Sequence, residues 1–149
     1  MSTINFQVIP KSQIDIILPL MYELNTKTDK DLLKLRTREM AEQENYECIG
    51  MYDKDHLIGI CGLLHSIRHY VGKSAEPDHV YIKEDYRNLG LGNKMFTWIE
   101  EYLSKKNVEA LELNTYTQNK KSHKFYYNEG YEIYGFHFVK IIREDKKFY

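Results

Sequence analysis

The stretch YIKEDYRNLGLGNKMF, residues 81–96, decides the fold. It reads as the end of a strand, a basic and glycine-bearing turn, and the start of a helix. Helix N-termini carry unpaired N–H groups and the positive end of the helix dipole. A diphosphate binds at such a terminus without needing side-chain charge. Gly90 and Gly92 let the backbone approach a ligand closely, and Arg87 adds a charge-assisted donor at the same rim. Two phosphate motifs are excluded. A dinucleotide fingerprint requires a third glycine, where this chain has Met95, and the stretch lies mid-chain rather than after the first strand. The P-loop string G-x-x-x-x-G-K-S/T does not occur. What remains is R-x-x-G-x-G between a strand and a helix.

Working outward, HVYIK is the strand before the turn, and LGNKMFTWIEEYLSKK is the clearest helix in the chain. Leu91, Met95, Trp98, Ile99, Tyr102 and Leu103 recur at helical spacing, and Asn107 suits the stop. VEALELNTY is the next strand, with Leu111 and Leu113 on one face. The unit spanning residues 79–115 is a right-handed parallel crossover. Upstream, INFQVI alternates as a first strand. SQIDIILPLMYEL carries the stripe Ile14, Ile17, Leu18, Met21, with Ser12 as candidate N-cap and Pro19 expected to kink or split the helix. TDKDLLKLRTREMAEQE is a more polar helix with Leu32, Leu35 and Met40 on one side. YECIGMYDKDHLIGICGLLH reads as two strands around a polar turn, and SIRHYVGKSAEPD as a loop or irregular strand. Downstream, KSHKFYYNEG is a short helix ended by Gly130, and YEIYGFHFVKII is two short strands around Gly135. The order β-α-α-β-β-β-α-β-α-β-β predicts a mixed α/β fold in a single domain over residues 1–149.

Composition narrows the function classes. Lys+Arg is 21 and Asp+Glu is 22, for a net charge of -1. The isoelectric point is about 6.6. A nucleic-acid binder usually shows a basic face and a raised isoelectric point, so charge gives no support for DNA or RNA as partner. A chain of this length buries roughly 70% of its unfolded surface, enough for a core without staples. The start MSTINFQVIPKSQ has no basic n-region and no long apolar run, so it does not read as a secretory signal. The apolar stretches fall far short of the ~20 residues a membrane span needs. The expectation is a soluble cytoplasmic protein with no membrane partner. Cys48 and Cys61 are too few for a disulfide framework and lack metal-ligand spacing, so no metal is expected. With a turn centred on Asp53–His56 they fall opposite each other, either as small reduced core residues or as a redox pair.

RNLGLG, residues 87–92, resembles the acetyl-CoA signature of the GNAT superfamily of N-acetyltransferases: Arg or Gln, two residues, Gly, one residue, then Gly or Ala. VYIKEDY resembles that family's fourth strand and the turn after it. LELNTYTQNKKSHKFYYNEGY resembles its downstream segment, N-x-x-(A/S)-x-x-F-Y-x-x-x-G-(F/Y). Asn119, Ser122, Phe125, Tyr126, Gly130 and Tyr131 match in position, and the whole element order agrees with the family fold.

The resemblance implies that coenzyme A lies in an opening where strands four and five splay apart. The backbone of Tyr81, Ile82 and Lys83 then pairs with the pantetheine arm, and the Ile82 N–H polarises the thioester carbonyl, a one-donor oxyanion site. The N–H groups of Asn88, Leu89, Gly90, Leu91 and Gly92 hold the diphosphate beside Arg87, while the Leu91 side chain belongs to the core. The reaction is direct acyl transfer to an amine. An amine of pKa ~10.4 is protonated at neutral pH, so its proton must be taken before attack. Tyr126 matches the family's general acid; its place four residues before Gly130 selects it over Tyr127. Asn119 is a coenzyme contact, a helix cap, or both. Glu76 is the candidate base, since strict alternation puts Glu76, Asp78, Val80 and Ile82 on one face, although Pro77 can break that alternation. Asp78, His79, His137 or a water chain are the alternatives.

The acceptor side is expected from the first two helices and the loop HSIRHYVGKSAEP. His65, Arg68, His69 and Tyr70 there suit an anionic or aromatic acceptor, or form an ordinary solvated loop. SHKFYYNEGYEIYGFHFVK resembles the C-terminal pattern of GNAT members that act on small amines, including aminoalkylphosphonate acetyltransferases. That favours a small primary amine over a protein N-terminus or lysine tail. The rival readings are a protein lysine or N-terminal acetyltransferase and a non-catalytic acyl-CoA-binding module. Family habit implies a homodimer.

Overall fold

The computed structural model describes residues 3–148. In chain order the elements are β1 (Ile4–Ile9), a 3-10 helix (Lys11–Ile17), α1 (Leu18–Leu24), α2 (Lys30–Glu42), β2 (Tyr46–Asp53), β3 (His56–Arg68), β4 (Gly72–Ile82), a 3-10 turn (Glu84–Tyr86), α3 (Leu91–Ser104), β5 (Ala110–Leu111) and α4 (Lys120–Asn128). Contacts divide the chain into two compact units, Met1–Leu113 and Asn114–Tyr149.

The first unit holds a five-stranded sheet in the order β1-β2-β3-β4-β5. The first four strands are antiparallel neighbours and β5 is parallel to β4, so the sheet is mixed. One face carries the 3-10 helix, α1 and α2 over a core of Ile9, Ile14, Ile17, Leu20, Met21, Leu33, Ala41, Tyr46, Cys48 and Ile60. The other face takes α3. Phe6, one strand phase away from Ile9, stacks on Trp98 with ring centroids 6.0 Å apart. Leu91, Met95, Phe96, Ile99 and Leu103 are buried along α3, each contributing roughly 1.5–3 kcal/mol by leaving water. Asn107, at φ 58°, ends the helix in the left-handed region as its position suggests.

Pro19 splits the first helix as expected. Residues Lys11–Ile17 form a 3-10 helix, and Pro19 falls in the first turn of α1, where its missing N–H costs nothing. Ser12 does not cap; Pro10 holds that position without a side-chain bond. In α2 the buried stripe is Leu33, Thr37 and Ala41 rather than Leu32, Leu35 and Met40. Leu35 is 54% exposed. The Thr37 hydroxyl satisfies itself by donating to the Leu33 carbonyl at 2.8 Å, which makes a polar residue cheap to bury.

The β2–β3 hairpin has the expected turn, with Asp53 opposite His56, but a bulge between Met51 and Tyr52 shifts the register. Cys48 therefore faces Gly62, Cys61 faces Ile49, and the two thiols lie on opposite faces of the sheet. Both are free and buried. Burial pushes the Cys48 thiol up to about 12 and the Cys61 thiol well above its ordinary value. Neither is a ready thiolate.

Of the two readings of residues 66–78, loop or irregular strand, the second holds: they are largely strand. Arg68 pairs with Gly72, so the hairpin turns over three residues. The two strands expected over YEIYGFHFVKII do not form; residues 131–142 have no ladder partner and no regular structure. Alternating apolar residues specify a face, but a strand exists only where neighbouring backbone takes its hydrogen bonds.

Candidate active site

The site is built on β4. Before Pro77 the register sums Leu64 with Glu76 and Ser66 with Ser74; after it, Cys61 faces Val80 and Gly59 faces Ile82. One extra residue has entered β4, so Asp78 and His79 together oppose Gly62. This bulge reverses the strand's phase. Upstream, the backbone of Lys73 and Ala75 points to β5, accepting from the N–H groups of Glu109 at 2.7 Å and Glu112 at 3.0 Å. Downstream, the Lys83 N–H donates to the Ile58 carbonyl at 2.9 Å, so Tyr81 and Lys83 point towards β3. Alternation then turns the N–H groups of Val80 and Ile82 to the other side.

That side is open. β5 pairs with β4 only at Ser74–Ala110 and Ala75–Leu111. Among the described residues no strand covers the β5 side of β4 from Glu76 to Ile82. Val80 and Ile82, rather than Tyr81 and Lys83, turn their backbone groups to this unpaired side. Arg87 closes one end: its Nε donates to the Ile82 carbonyl at 2.8 Å, and its guanidinium lies 5.1 Å from the Tyr81 ring centroid. The Tyr81 hydroxyl in turn donates to Glu23 of α1 at 2.7 Å.

The turn that follows is held by Tyr86, whose hydroxyl donates to Asp53 at 3.0 Å. Asn88 (φ 60°) and Gly90 (φ 73°) both adopt the left-handed region. Gly90 is the N-cap of α3, and no side chain caps the helix or adds acid to its first turn. A Cβ built on Gly90 meets nothing within 4 Å. The N–H groups of this terminus have no side-chain cap and carry the dipole behind them, an arrangement suited to an anion. Leu91 is buried as core, whereas Leu89 is 63% exposed. Gly92 lies in the first turn of α3.

The bulge also re-sorts the candidate bases. Glu76 opposite Leu64 and Tyr81 opposite Ile60 lie on the α1 face, while Val80 and Ile82 lie on the other. The single face expected for Glu76, Asp78, Val80 and Ile82 is thus broken by the extra residue. Asp78 is exposed over the residue as a whole, while protein partly surrounds its carboxyl group. Burial and then the Glu76 charge hold its carboxyl above the usual range. His79 is buried, with Nε2 hydrogen-bonded to the Tyr46 hydroxyl at 2.7 Å. Burial alone lowers its pKa to about 4, so the ring is neutral. Nothing in the alternation pattern announces this pair.

In the second unit, Asn119 is the N-cap of α4 and its side chain accepts from the Ser122 N–H at 3.2 Å. The capping role is therefore realised. α4 ends in a Schellman turn: Gly130 is at φ 90°, its N–H donates to the Tyr127 carbonyl, and the Tyr131 N–H donates to the Tyr126 carbonyl at 3.0 Å. The apolar contact such a turn brings is Tyr131 on Tyr126, with centroids 5.4 Å apart. Phe125 also meets the Tyr126 ring edge-on, with centroids 5.3 Å apart. Tyr127 is 56% exposed. His137 falls in the irregular stretch after α4.

The loop set expected to receive the acceptor is largely committed elsewhere. Arg68 and Tyr70 both reach Glu112, the latter at 2.5 Å. His65 bonds Glu47 at 2.7 Å. His69 contacts the Tyr70 ring edge-on. No helix among the described residues is long and apolar enough to cross a membrane.

Comparison with known proteins says which family carries this arrangement. The acetyltransferase (GNAT) family model matches residues 14–131, and the chain belongs to that family. It is an acyltransferase enzyme by that membership. A 74-residue stretch is 27% identical to the aminoalkylphosphonate N-acetyltransferase of Salmonella typhimurium strain LT2, covering 50% of this chain and 48% of that protein. Among solved structures, a possible acetyltransferase from Clostridium difficile 630 superposes with a TM-score of 0.80 at 19% identity, over 94% of this chain and 99% of that one. AAC(6')-Iy in complex with the bisubstrate analog CoA-S-monomethyl-acetylneamine also gives 0.80, at 12% identity, over 95% and 99%. At these identities the structural likeness is one of fold.

Proposed function

We propose that this protein transfers the acetyl group of acetyl-CoA to a primary amine of a small molecule, directly, with both substrates bound. The observation that carries the reading is the open side of β4, where the bulge aims the Val80 and Ile82 N–H groups beside the uncapped N-terminus of α3. The pantetheine arm adds to β4 as a further strand. The Ile82 N–H donates to the thioester oxygen as it gains charge. The N–H groups of residues 88–92, with Arg87, hold the diphosphate. Residues 1–149 act as one catalytic domain.

The amine loses a proton before it attacks the carbonyl carbon. Glu76, half-buried just past the last β4–β5 pair, takes that proton directly or through water. Asp78 is the second reading, favoured by its raised carboxyl pKa. As the C–S bond breaks, the Tyr126 hydroxyl protonates the leaving thiolate. The amide of Asn119 left over from its cap contacts the coenzyme. A small amine acceptor is supported by the likeness to an aminoalkylphosphonate N-acetyltransferase. A homodimer is part of the same proposal.

The test is calorimetric acetyl-CoA binding followed by thiol release against a panel of aminoalkylphosphonates, polyamines, amino acids, aminoglycosides and lysine peptides. Binding with release driven by a small amine supports the reading. Release with lysine peptides alone replaces it with protein acetylation. Absence of binding overturns the placement at Arg87–Gly92.

A further inference from the structure

The phase reversal in β4 needs something to hold it, because a bulge in a plain strand slips. Three observations converge on what does so. Gly62 stands opposite the bulge, and a Cβ there would lie 2.1 Å from Nε2 of His79, so the ring rests directly on the glycine's backbone. The same Nε2 shares a hydrogen bond of 2.7 Å with the hydroxyl of Tyr46, which is 1% exposed at the start of β2. Nδ1 of His79 is buried without a partner among the described residues. A buried nitrogen left unsatisfied is costly, so this ring is not placed for its own stability.

We propose that Tyr46, His79 and Gly62 form a lock that fixes the β4 bulge and thereby the direction of the Val80 and Ile82 N–H groups. The lock spans three strands: Tyr46 on β2 reaches over Gly62 on β3 to His79 on β4. Only glycine on the middle strand leaves room for the ring. With the lock in place, Tyr81 and Lys83 keep their bonds to β3 and Ile82 faces the opening. Without it, β4 samples the unbulged register, in which Ile82 turns its N–H to β3 and its side chain to the opposite face. Tyr46 and His79 are positioning residues. They touch no reacting atom, and their effect on the reaction rests on the acetyl-CoA reading above.

The experiment separates the two levels. Amide hydrogen exchange in the free protein is compared for wild type and Tyr46→Phe, which removes one hydroxyl and keeps the ring. The Tyr81 and Lys83 amides are expected to lose protection by about tenfold more than the Ile49 and Met51 amides of β2, because the loss is local to the bulge. Uniform change across both strands, or none, overturns the lock. Steady-state kinetics then follow, with kcat falling about tenfold and the Kd for acetyl-CoA rising by about threefold, because the N–H groups that lose their direction also take the pantetheine arm while the diphosphate turn is unchanged. An unchanged kcat overturns the positioning role. His79→Leu and the double variant should match Tyr46→Phe in both readouts, because the residues act as one unit; additive losses count against it. If wild type binds no acetyl-CoA, the exchange result still decides the lock, and the acetyl-CoA reading falls separately.

Discussion

The two units of this chain use similar amino acids to opposite effect. In Met1–Leu113 the apolar residues of β2, β3 and α3 are mostly buried, down to 0% exposure at Ile49, Met51, Phe96 and Ile99. In Asn114–Tyr149 none of the described residues is buried. Tyr134 is 94% exposed, Phe138 89% and Ile142 88%, although the sequence alternates as a strand does. Period-2 alternation therefore marks a segment able to become a strand, while partners decide whether it does. The proposed chemistry divides along the same line. Donor binding is assigned to backbone groups of the first unit, which packing fixes, and proton donation to a side chain of the second, which one helix and its terminal turn fix.

The largest expected effect tests that contrast in stability. Phe96→Ala should cost about 3–5 kcal/mol, because it empties a fully packed site. Phe136→Ala, removing a ring that is 85% exposed, should change stability by no more than about 0.5 kcal/mol. Urea unfolding of both variants measures the difference. A comparable loss from Phe136→Ala would break the comparison and show that the second unit gains a partner in solution.

Next comes the backbone anion site. Gly90→Glu places a carboxylate and a Cβ where a diphosphate is proposed, at a φ of 73° that strains any side chain. Acetyl-CoA affinity should fall on the order of 1000-fold, since like charge meets like charge at a desolvated contact. Calorimetry that finds affinity retained removes the diphosphate from this turn. Tyr126→Phe should act differently. It should lower kcat about 100-fold while leaving acetyl-CoA affinity close to wild type, as loss of a general acid does. An unchanged kcat, with chemistry rate-limiting, assigns Tyr126 to packing against Phe125 and Tyr131.

Local signals carried most of the fold. Gly90, Asn107 and Gly130 each punctuate a helix where the sequence places them, and Pro19 splits one. The strand-to-helix turn at residues 87–92 was legible because glycine advertises its backbone conformation. Register was not legible. The bulge beside Met51 inserts one residue without a sequence mark, the one in β4 is hinted at only by Pro77, and each overturns an inference drawn from strict alternation: the facing cysteines in one case, the shared face of Glu76 and Ile82 in the other. The pairing of His79 with Tyr46 depends on that register and spans a sequence separation of 33, so no local pattern could show it. The missing strands at residues 131–142 are the same lesson in reverse, a local pattern without the long-range partner that completes it.

The smallest effect concerns pH. His79 has an ordinary value of 6.5 and is lowered to about 4 by burial in the folded chain. Between those values the unfolded chain binds a proton that the folded chain refuses. Its contribution is therefore fully present above pH 6.5 and is lost as pH falls through about 4. Glu47 adds to the same trend at lower pH. Burial pushes its carboxyl up, but hydrogen bonds from His65 and Tyr102 and the Lys106 charge outweigh it and hold it at about 2, against an ordinary 4.5. Urea unfolding at pH 7.5, 6 and 5 should show stability falling by on the order of 1–2 kcal/mol across that range. His79→Leu should flatten the slope between pH 7.5 and 5 while leaving the fall below pH 4.5, where Glu47 protonates in the unfolded chain. The opposite sign, with stability rising as the solution is acidified, would mean that His79 gains a proton in the folded protein, and that its bond to Tyr46 does not hold a neutral ring.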